Sequence, residues 1–552
     1  MTKKDALKAL AFTASLIEYL GDNERAKAYQ TAERALDSVT SDWEALCERG
    51  FTGVRGIGVQ LAAHLAEFHA TGKFPPLEEL KTQISSSILE LFRVRGLGAK
   101  KIRTLADSGI ESLADLIKAA EENRLAALKG FGAASQKTIL ENALFAQKSA
   151  ERHTRNHAEL VFSRLGQRLS GVAKLEAAGS LRRGLETIGD LDVIATGDKT
   201  SILERLGNPN PDPNHPHLYH FVSEGMTVQF CHVEPEFLGA AQLIMTGSKP
   251  LLQELRSASE LELSSRGFLK GQNRLATPSE PEAWQLLGRS MPPPEWREAE
   301  HIGRKLPLAL LELPQIQGML HVHSNYSDGS HSLREMALAA RKLGMQYLGI
   351  CDHSRSAFYA GGLSVQKVQQ QWEEIDALNR ENLGIVLLKG IESDILANGD
   401  LDYPDEILAG FDFVVSSIHS QFTLSQSAQT ERLIRAVQNP LTTILGHPTG
   451  RLLLRRPGYA FDVAAVLEAA HQAGTIIEIN ANPNRLDLDW RIVLEHPQNL
   501  YAVNTDAHST AGLLDLPHGI AIARKGGVTL ERCVNTWDVS QFLQFARQKR
   551  GK

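Results

Sequence analysis

Three patterns along these 552 residues predict a multidomain chain with three fold types in series: an all-α N-terminal region, a central α+β module and a C-terminal β/α domain. The first is a short Gly-x-Gly pattern that recurs three times between amphipathic helical stretches in the first 150 residues. The second is an Asp-x-Asp pair on an apolar stretch, Ile188-Gly-Asp190-Leu-Asp192-Val-Ile194. The third is a set of strand-like segments after residue 316 that alternate with helical ones and end in His, Asp or Glu. Strand alternating with helix argues for a parallel β/α sheet or barrel, whose functional groups gather at the C-terminal ends of the strands.

At 552 residues the chain exceeds a single core, and three to four domains of about 150 residues each are expected. Apolar residues make up 42% and charged residues 22%, ordinary for soluble globular protein. No window reaches the ~18 apolar residues of a membrane span, and from the Met-Thr-Lys-Lys-Asp start no signal peptide is expected. Cys47, Cys231, Cys351 and Cys533 lie far apart with no CxxC, so neither a thiolate zinc site nor a disulfide framework is expected. A monomer in a reducing cytoplasm, without a membrane, is the expectation. The net charge of −6 excludes a uniformly basic nucleic-acid coat, but it does not exclude local basic patches.

Residues 1–150 read as helical, with Leu7–Tyr19, Arg25–Val39 and Gly58–His69 as amphipathic segments. Between helices the chain reads Val54-Arg-Gly56-Ile-Gly58, then Val94-Arg-Gly96-Leu-Gly98-Ala-Lys100-Lys101, then Leu128-Lys-Gly130-Phe-Gly132. Glycines two apart permit positive φ and leave backbone N–H groups pointing outward at a helix N-terminus, where a phosphate oxygen can bind. One copy alone is merely a tight connection; three copies resemble the helix-hairpin-helix, a grip on the DNA backbone that ignores sequence. The second copy carries Arg93, Arg95, Lys100, Lys101 and Arg103 with no acidic residue between them. A basic run by itself is a solvated face; joined to the hairpins it favours phosphate contacts. Domains are expected at residues 1–80 and 81–150.

Two aspartates at i and i+2 on a strand face the same way, about 7 Å apart, which suits two Mg²⁺ or Mn²⁺ ions at a nucleoside triphosphate. Ahead of them stands Gly179-Ser180-Leu-Arg182-Arg183-Gly184, supplying backbone and charged donors for phosphates. An Asp-x-Asp alone is commonly a turn. With Gly-Ser-x-Arg-Arg-Gly before it, the stretch resembles the palm of the family X DNA polymerases, and Thr246-Gly247-Ser248 resembles the turn that opens that family's nucleotide-selecting segment. The resemblance implies catalytic roles for Asp190 and Asp192, nucleotide contacts from Gly179, Ser180, Arg183 and Gly247, a palm over 151–235 and a thumb-like domain over 236–290. Pro292-Pro-Pro294 suggests a linker over 291–315.

In the C-terminal part, 316–552, Ile316–Leu320 leads into His321-Val-His323 and then Asp328; two imidazoles at i and i+2 share a side only on an extended strand. Tyr347–Cys351 runs into Asp352-His353, Ile385–Ile391 into Glu392, Phe413–Ile418 into His419, Thr443–Gly446 into His447, and Val503–Thr505 into Asp506-Ala-His508. Helical stretches Leu333–Leu343, Val368–Leu378 and Val463–Ala473 lie between them. Imidazoles and carboxylates without thiolates describe a hydrolytic site for Mn²⁺, Zn²⁺ or Fe²⁺. Nine candidates are too many for one ion, so two or three divalent ions bridged by a carboxylate are expected. These residues resemble the PHP (polymerase and histidinol phosphatase) family, which implies a distorted β/α barrel with a trinuclear metal site that hydrolyses phosphoesters.

The whole chain is similar to bacterial family X DNA polymerases with a C-terminal PHP nuclease. That likeness implies gapped or 3′-ended DNA and deoxynucleoside triphosphates as partners, and a repair enzyme with a Mn²⁺-dependent 3′ to 5′ exonuclease. The family's third palm aspartate falls on Gln229, an expected arginine on Cys231, a nucleotide-contacting asparagine on Leu252, and the bulky residue before the turn on Met245. Glutamine can neither deprotonate a primer hydroxyl nor hold a metal as a carboxylate does, so polymerisation is expected to be weak or lost. The lyase lysine of animal members falls on His64, so lyase activity by that route is not expected. Two competing readings are a small-molecule PHP phosphatase and a non-catalytic DNA-binding scaffold.

Overall fold

The computed structural model describes residues 1, 3–39 and 43–551, and it divides into two compact units, Met1–Glu151 and Arg152–Lys552. The first unit is helical throughout. Lys3–Leu20 packs on Asn23–Asp37, whose N-terminus is capped by Asp22 accepting from the Arg25 N–H at 3.0 Å. Leu10, Leu16, Leu36, Leu65, Leu91, Ile102, Leu105, Leu116 and Leu125 are fully buried in one apolar cluster that runs from Ala6 to Ala146, across residue 80.

The second unit begins with a four-stranded mixed sheet in the spatial order Ala173–Ala177, Leu191–Gly197, Met226–His232, Leu218–Ser223. Its central pair is parallel, its outer pairs antiparallel. Helices Leu238–Thr246, Lys249–Ala258 and Glu280–Leu286 follow, with a three-stranded antiparallel sheet, Glu262–Ser264, Gly267–Lys270 and Asn273–Leu275.

The segment expected as a linker is packed rather than free. Trp296, Arg297 and His301 are buried; the His301 ring lies between those of Trp296 and Trp490, at 4.5 and 5.1 Å. Glu298 accepts from Arg183 at 2.8 Å and from the buried Lys525 at 2.9 Å, and Lys525 also donates to the Arg183 carbonyl. Arg297 and Arg182 share Glu280 in the same way. Buried charges persist only when paired and hydrogen-bonded like this.

Beyond it, parallel strands alternate with helices. Gly318–Val322, Tyr347–Ile350 and Val386–Lys389 form one sheet; Glu392–Asp394, Val415–Ser417, Ile444–Leu445, Ile476–Asn480 and Tyr501–Asn504 form a second. Val386–Lys389 and Glu392–Asp394 are two halves of one run, broken at Gly390–Ile391, which passes from the first sheet to the second. Single parallel bridges, His353 with Glu392 and Val322 with Ala507, join the sheets, and the Asp506 N–H donates to the His321 carbonyl at 3.0 Å. The strands are buried at nearly every position because helices cover them, among them Leu333–Lys342, Val365–Arg380 and Val463–Ala473. Ser332, Ser364 and Asp462 cap those three helices with side-chain oxygens.

Candidate metal centre and nucleotide cleft

All nine C-terminal candidates converge at the C-terminal ends of these strands. His321 lies on Gly318–Val322 and His323 just beyond; His353, His419, His447, Asp506 and His508 each follow a strand end, while Glu392 opens the second half of the broken strand. Glu392 is the centre: its two oxygens lie 2.9 Å from His353 Nδ1, 2.9 Å from His447 Nε2, 3.3 Å from His419 Nε2, and 3.5 and 3.7 Å from the Nε2 atoms of His321 and His323. Asp506 Oδ1 is 3.1 Å from His323 Nε2; Asp328 Oδ1 is 3.3 Å from His508 Nε2 and 3.6 Å from His353 Nε2. Three overlapping groups have ligand atoms close enough to share an ion: His323, Asp328, His353 and His508; His321, His323 and Glu392; His353, Glu392 and His419.

The donor set fits metal ions. Fully buried His321 Nε2, both nitrogens of His323, His353 Nδ1, His447 Nδ1 and both oxygens of Glu392 have no hydrogen-bond partner in the protein. Buried polar groups without partners are costly, and this many in one place point to cations. The Cys351 thiol is no competitor: it donates to the Leu320 carbonyl, and burial holds its pKa well above the usual value. The charges of the cluster split the imidazoles. Burial, with His508 and His353 adjacent, pushes His323 down to about 3; against the same burial, Glu392 and Asp394 raise His419 to about 10, and Asp328 and Asp506 raise His508 to about 9.

Residues that the sequence reading passed over hold this cluster. Glu478 Oε1 accepts from His321 Nδ1 at 2.7 Å, and its Oε2 accepts from the His447 N–H at 2.7 Å, which supports His447 in a left-handed backbone, φ 24°. Asp394 fixes His419 Nδ1 at 2.5 Å. Asp352 gathers Ser324, Ser327 and Gln371, shaping the loop that carries Asp328. Local signals did exist: Asp394 stands two residues after Glu392 on one strand, and Glu478 is an acid within the apolar Ile476–Asn480 run.

In the central sheet, Asp190, Asp192, Gly179, Ser180, Arg183 and Gly247 all line one cleft of about 510 Å³, together with Gln229, Met245, His215 and His217. Gln229 is the direct cross-strand partner of Asp192 in the parallel pair, so it stands beside that carboxylate on one face. Gly179, at φ +57°, brings its Cα against Asp192: a Cβ there would sit 1.7 Å from Oδ2, so no side chain fits. The Ser180 hydroxyl is buried without a partner. Burial and the neighbouring Asp190, opposed by Arg183, lift Asp192 to about 7. The Arg183 guanidinium is held by Glu298 and by the Thr246 carbonyl, at 2.8 and 3.0 Å. Leu252 is buried in the apolar cluster of the following helices, against Gly247. His215 and His217 escaped the sequence reading because their loop, 207–217, carries no periodicity.

In the helical unit the three hairpins share one geometry. Gly56, Gly96 and Gly130 have φ of 90°, 87° and 88°; Gly58, Gly98 and Gly132 then cap the following helices with no side-chain hydrogen bond at the cap. Lys101 donates to the Gly96 carbonyl and lies over the Phe131 ring at 5.5 Å, while Lys100 is exposed. His64 lines a cleft with Arg25, Tyr29, Gly56 and Gly58.

The family described as PHP domain matches residues 319–482, and the family described as SAM-like helix-hairpin-helix tandem matches residues 88–143. Asp506 and His508 lie beyond the first match, yet they belong to the same cluster. The chain is 35% identical over 580 residues to the DNA polymerase/3'-5' exonuclease PolX of Bacillus subtilis (strain 168), covering 99% of this chain and 100% of that protein. It is 28% identical over 251 residues to a probable phosphatase of Thermoanaerobacter sp. (strain X514), covering 42% of this chain and 95% of the relative.

Proposed function

We propose a division of labour within this chain, which belongs to the PolX family of DNA polymerase/3'-5' exonucleases: the C-terminal cluster hydrolyses phosphodiesters at DNA 3′ ends, the hairpins hold the DNA backbone, and the palm binds nucleotide but extends primers slowly. The observation that carries the first part is the convergence of nine nitrogen and oxygen donors, many of them buried and unpartnered, at one end of the parallel strands. The bridges that lead from the last strand back to the first support the distorted-barrel reading.

His321, His323, Asp328, His353, Glu392, His419, His447, Asp506 and His508 would hold two or three Mn²⁺ or Zn²⁺ ions. Such ions supply hydroxide at neutral pH and Lewis acidity toward phosphoryl oxygens. The protein does the rest. Glu478 and Asp394 fix the orientation of His321 and His419, Glu392 joins the groups, and Arg485, 3.4 Å from Asp506 Oδ2, adds positive charge beside the cluster. Asp328 and His508, with side chains 38% and 37% exposed, form the edge open to substrate.

In the palm, Asp190 and Asp192 would take Mg²⁺ or Mn²⁺, with Gly179, Ser180 and Gly247 at the phosphates and Arg183 acting from its bond to the Thr246 carbonyl. Gln229 beside Asp192 supports an impaired centre. The hairpin glycines, with Lys100 and Lys101, support binding of gapped DNA without sequence preference. Among the described residues no helix is long and apolar enough to cross a membrane, and a cytoplasmic monomer is the reading we adopt. A small-molecule phosphatase would leave the hairpins and the cleft without use, and a scaffold would leave the donor set without use.

Changing His353 or Asp506 to Ala should abolish hydrolysis of a 3′-ended oligonucleotide and leave gel-shift affinity for gapped DNA near wild type. Full nuclease activity in folded His353→Ala protein would sink the assignment.

A further inference from the structure

We infer that Phe358 and Tyr359 form a stacking platform for the bases of a single-stranded 3′ end as it enters the metal cluster. The inference rests on the exonuclease reading and deepens it by naming what selects the substrate. After His353 the chain makes a tight loop, closed by a parallel bridge from Ser354 to Leu363 and by the Leu363 N–H donating to the His353 carbonyl at 2.9 Å. Its lower side is pinned to the strand that carries Glu392: the Ser354 N–H donates to the Glu392 carbonyl, Ser354 Oγ accepts from the Asp394 N–H, and Ser356 Oγ donates to Asp394 Oδ2. The Ser356 N–H is bonded to Asp402. Such a loop is fixed by the same residues that fix the cluster.

Its upper side is the opposite. Phe358 is 84% exposed and Tyr359 64% exposed, with ring centroids 6.0 Å apart in an edge-to-face pair. Among the described residues these are the only aromatic side chains counted among the exposed large hydrophobics. Their position is not remote from the chemistry. Gly361 lies against the Ser327 carbonyl, one residue before Asp328, and Asp328 and His508 are the open edge of the cluster. Partial burial of the Tyr359 hydroxyl first, and then the carboxylates of Asp394, Glu392 and Asp328, raise its pKa above the ordinary phenol value against Arg485, so the hydroxyl end lies toward the cluster while much of the side chain stays exposed. Arg355, half-exposed on the same loop, pairs with Asp402 at 3.4 Å and lies over the Tyr403 ring, which holds the base of the loop in place.

A rigid loop that presents two aromatic faces to water beside a phosphodiesterase centre suits the bases of a nucleic-acid strand, because every base has a π-face and the contact ignores sequence. A substrate without a base gains nothing from it. The platform therefore selects a nucleotide strand over a small phosphate ester at a cluster able to hydrolyse either.

Two measurements on Phe358→Ser, Tyr359→Ser, the double variant and the conservative pair Phe358→Trp and Tyr359→Phe decide the matter. With metal removed by EDTA, a single-stranded oligonucleotide ending in 2-aminopurine should be quenched on binding wild type and the conservative variants, and should lose that quench with the double serine variant. With Mn²⁺, wild type should remove a base-bearing terminal nucleotide with a kcat/KM roughly tenfold or more above that for an abasic terminus, mainly through KM; the double variant should bring the ratio near one. A quench that survives in the double variant overturns the proposal. A fall in kcat at unchanged KM and unchanged ratio also overturns it, since that assigns the loop to cluster geometry alone. If wild type shortens no 3′ end with Mn²⁺, the exonuclease reading falls, and the quench still judges the platform.

Discussion

Glu478 bonds His321 and His447, two of the proposed ligands, and is not one of them, so Glu478→Gln should weaken metal binding without removing a donor. Its carboxylate is fully buried and accepts four hydrogen bonds: from His321 Nδ1 at 2.7 Å and Asn504 at 3.2 Å on one oxygen, and from the His447 N–H at 2.7 Å and Asn480 at 3.1 Å on the other. Glutamine has nearly the same shape, but its amide end cannot accept, so whichever way it lies either His321 Nδ1–H or the His447 N–H faces another donor. A charge-assisted bond of this kind contributes about 1.5–3 kcal/mol. That is in line with the roughly 10- to 100-fold loss of affinity, about 1.4–2.7 kcal/mol, usual when a carboxylate behind a ligating imidazole is removed. The assay is exonuclease rate against Mn²⁺ concentration, with metal content of dialysed protein by atomic spectroscopy. Half-saturation should move up by 10- to 100-fold while the rate at saturating Mn²⁺ recovers to within several-fold of wild type. An unchanged half-saturation in a folded variant would refute an orienting role for Glu478, and with it the assignment of His321 as a ligand held in one tautomer.

Gln229→Asp, in a His353→Ala background that removes degradation, should raise single-turnover primer extension with Mg²⁺ or Mn²⁺ by at least tenfold, though short of full rescue because Leu252 stays buried and Cys231 is unchanged; no gain would show that the missing carboxylate is not the defect. Lys100→Ala with Lys101→Ala should reduce the log-log salt slope of gapped-DNA binding by up to about two, close to one for each phosphate neutralised, and an unchanged slope would leave the pair as solvated surface. Burial depresses His301 to about 4, below the ~6.5 of the unfolded chain. The unfolded state therefore binds the proton first, and the stability this neutral imidazole contributes above pH 6.5 is lost as pH falls from about 6.5 toward 4, by roughly 3 kcal/mol at most. His217 titrates in the same window, so the readout is a difference: urea midpoints should fall less between pH 7 and 4.5 in His301→Gln than in wild type, and equal falls would refute a buried neutral His301.

Features written into adjacent residues could be read from the chain alone. The period of two that puts His321 and His323 on one side, the acids and imidazoles placed just after apolar runs, and the paired glycines of the hairpins are local properties of backbone geometry. Sequence therefore determined that strands alternate with helices and which ends carry donors. Ile476–Asn480 was missed as a strand because its apolar run is short and broken by Glu478 and Asn480, and the partner it serves, His321, is 157 residues away. Tertiary structure alone decided that Glu478 stands behind His321, that Glu298 ties Arg183 to Lys525, and that the loop carrying the exposed Phe358 and Tyr359 meets the Ser327 carbonyl through Gly361. Each of these is a pairing between chain segments far apart in sequence, set by where the sheets bring strand ends together, and hydrophobic periodicity records which face a residue takes but not what it meets there.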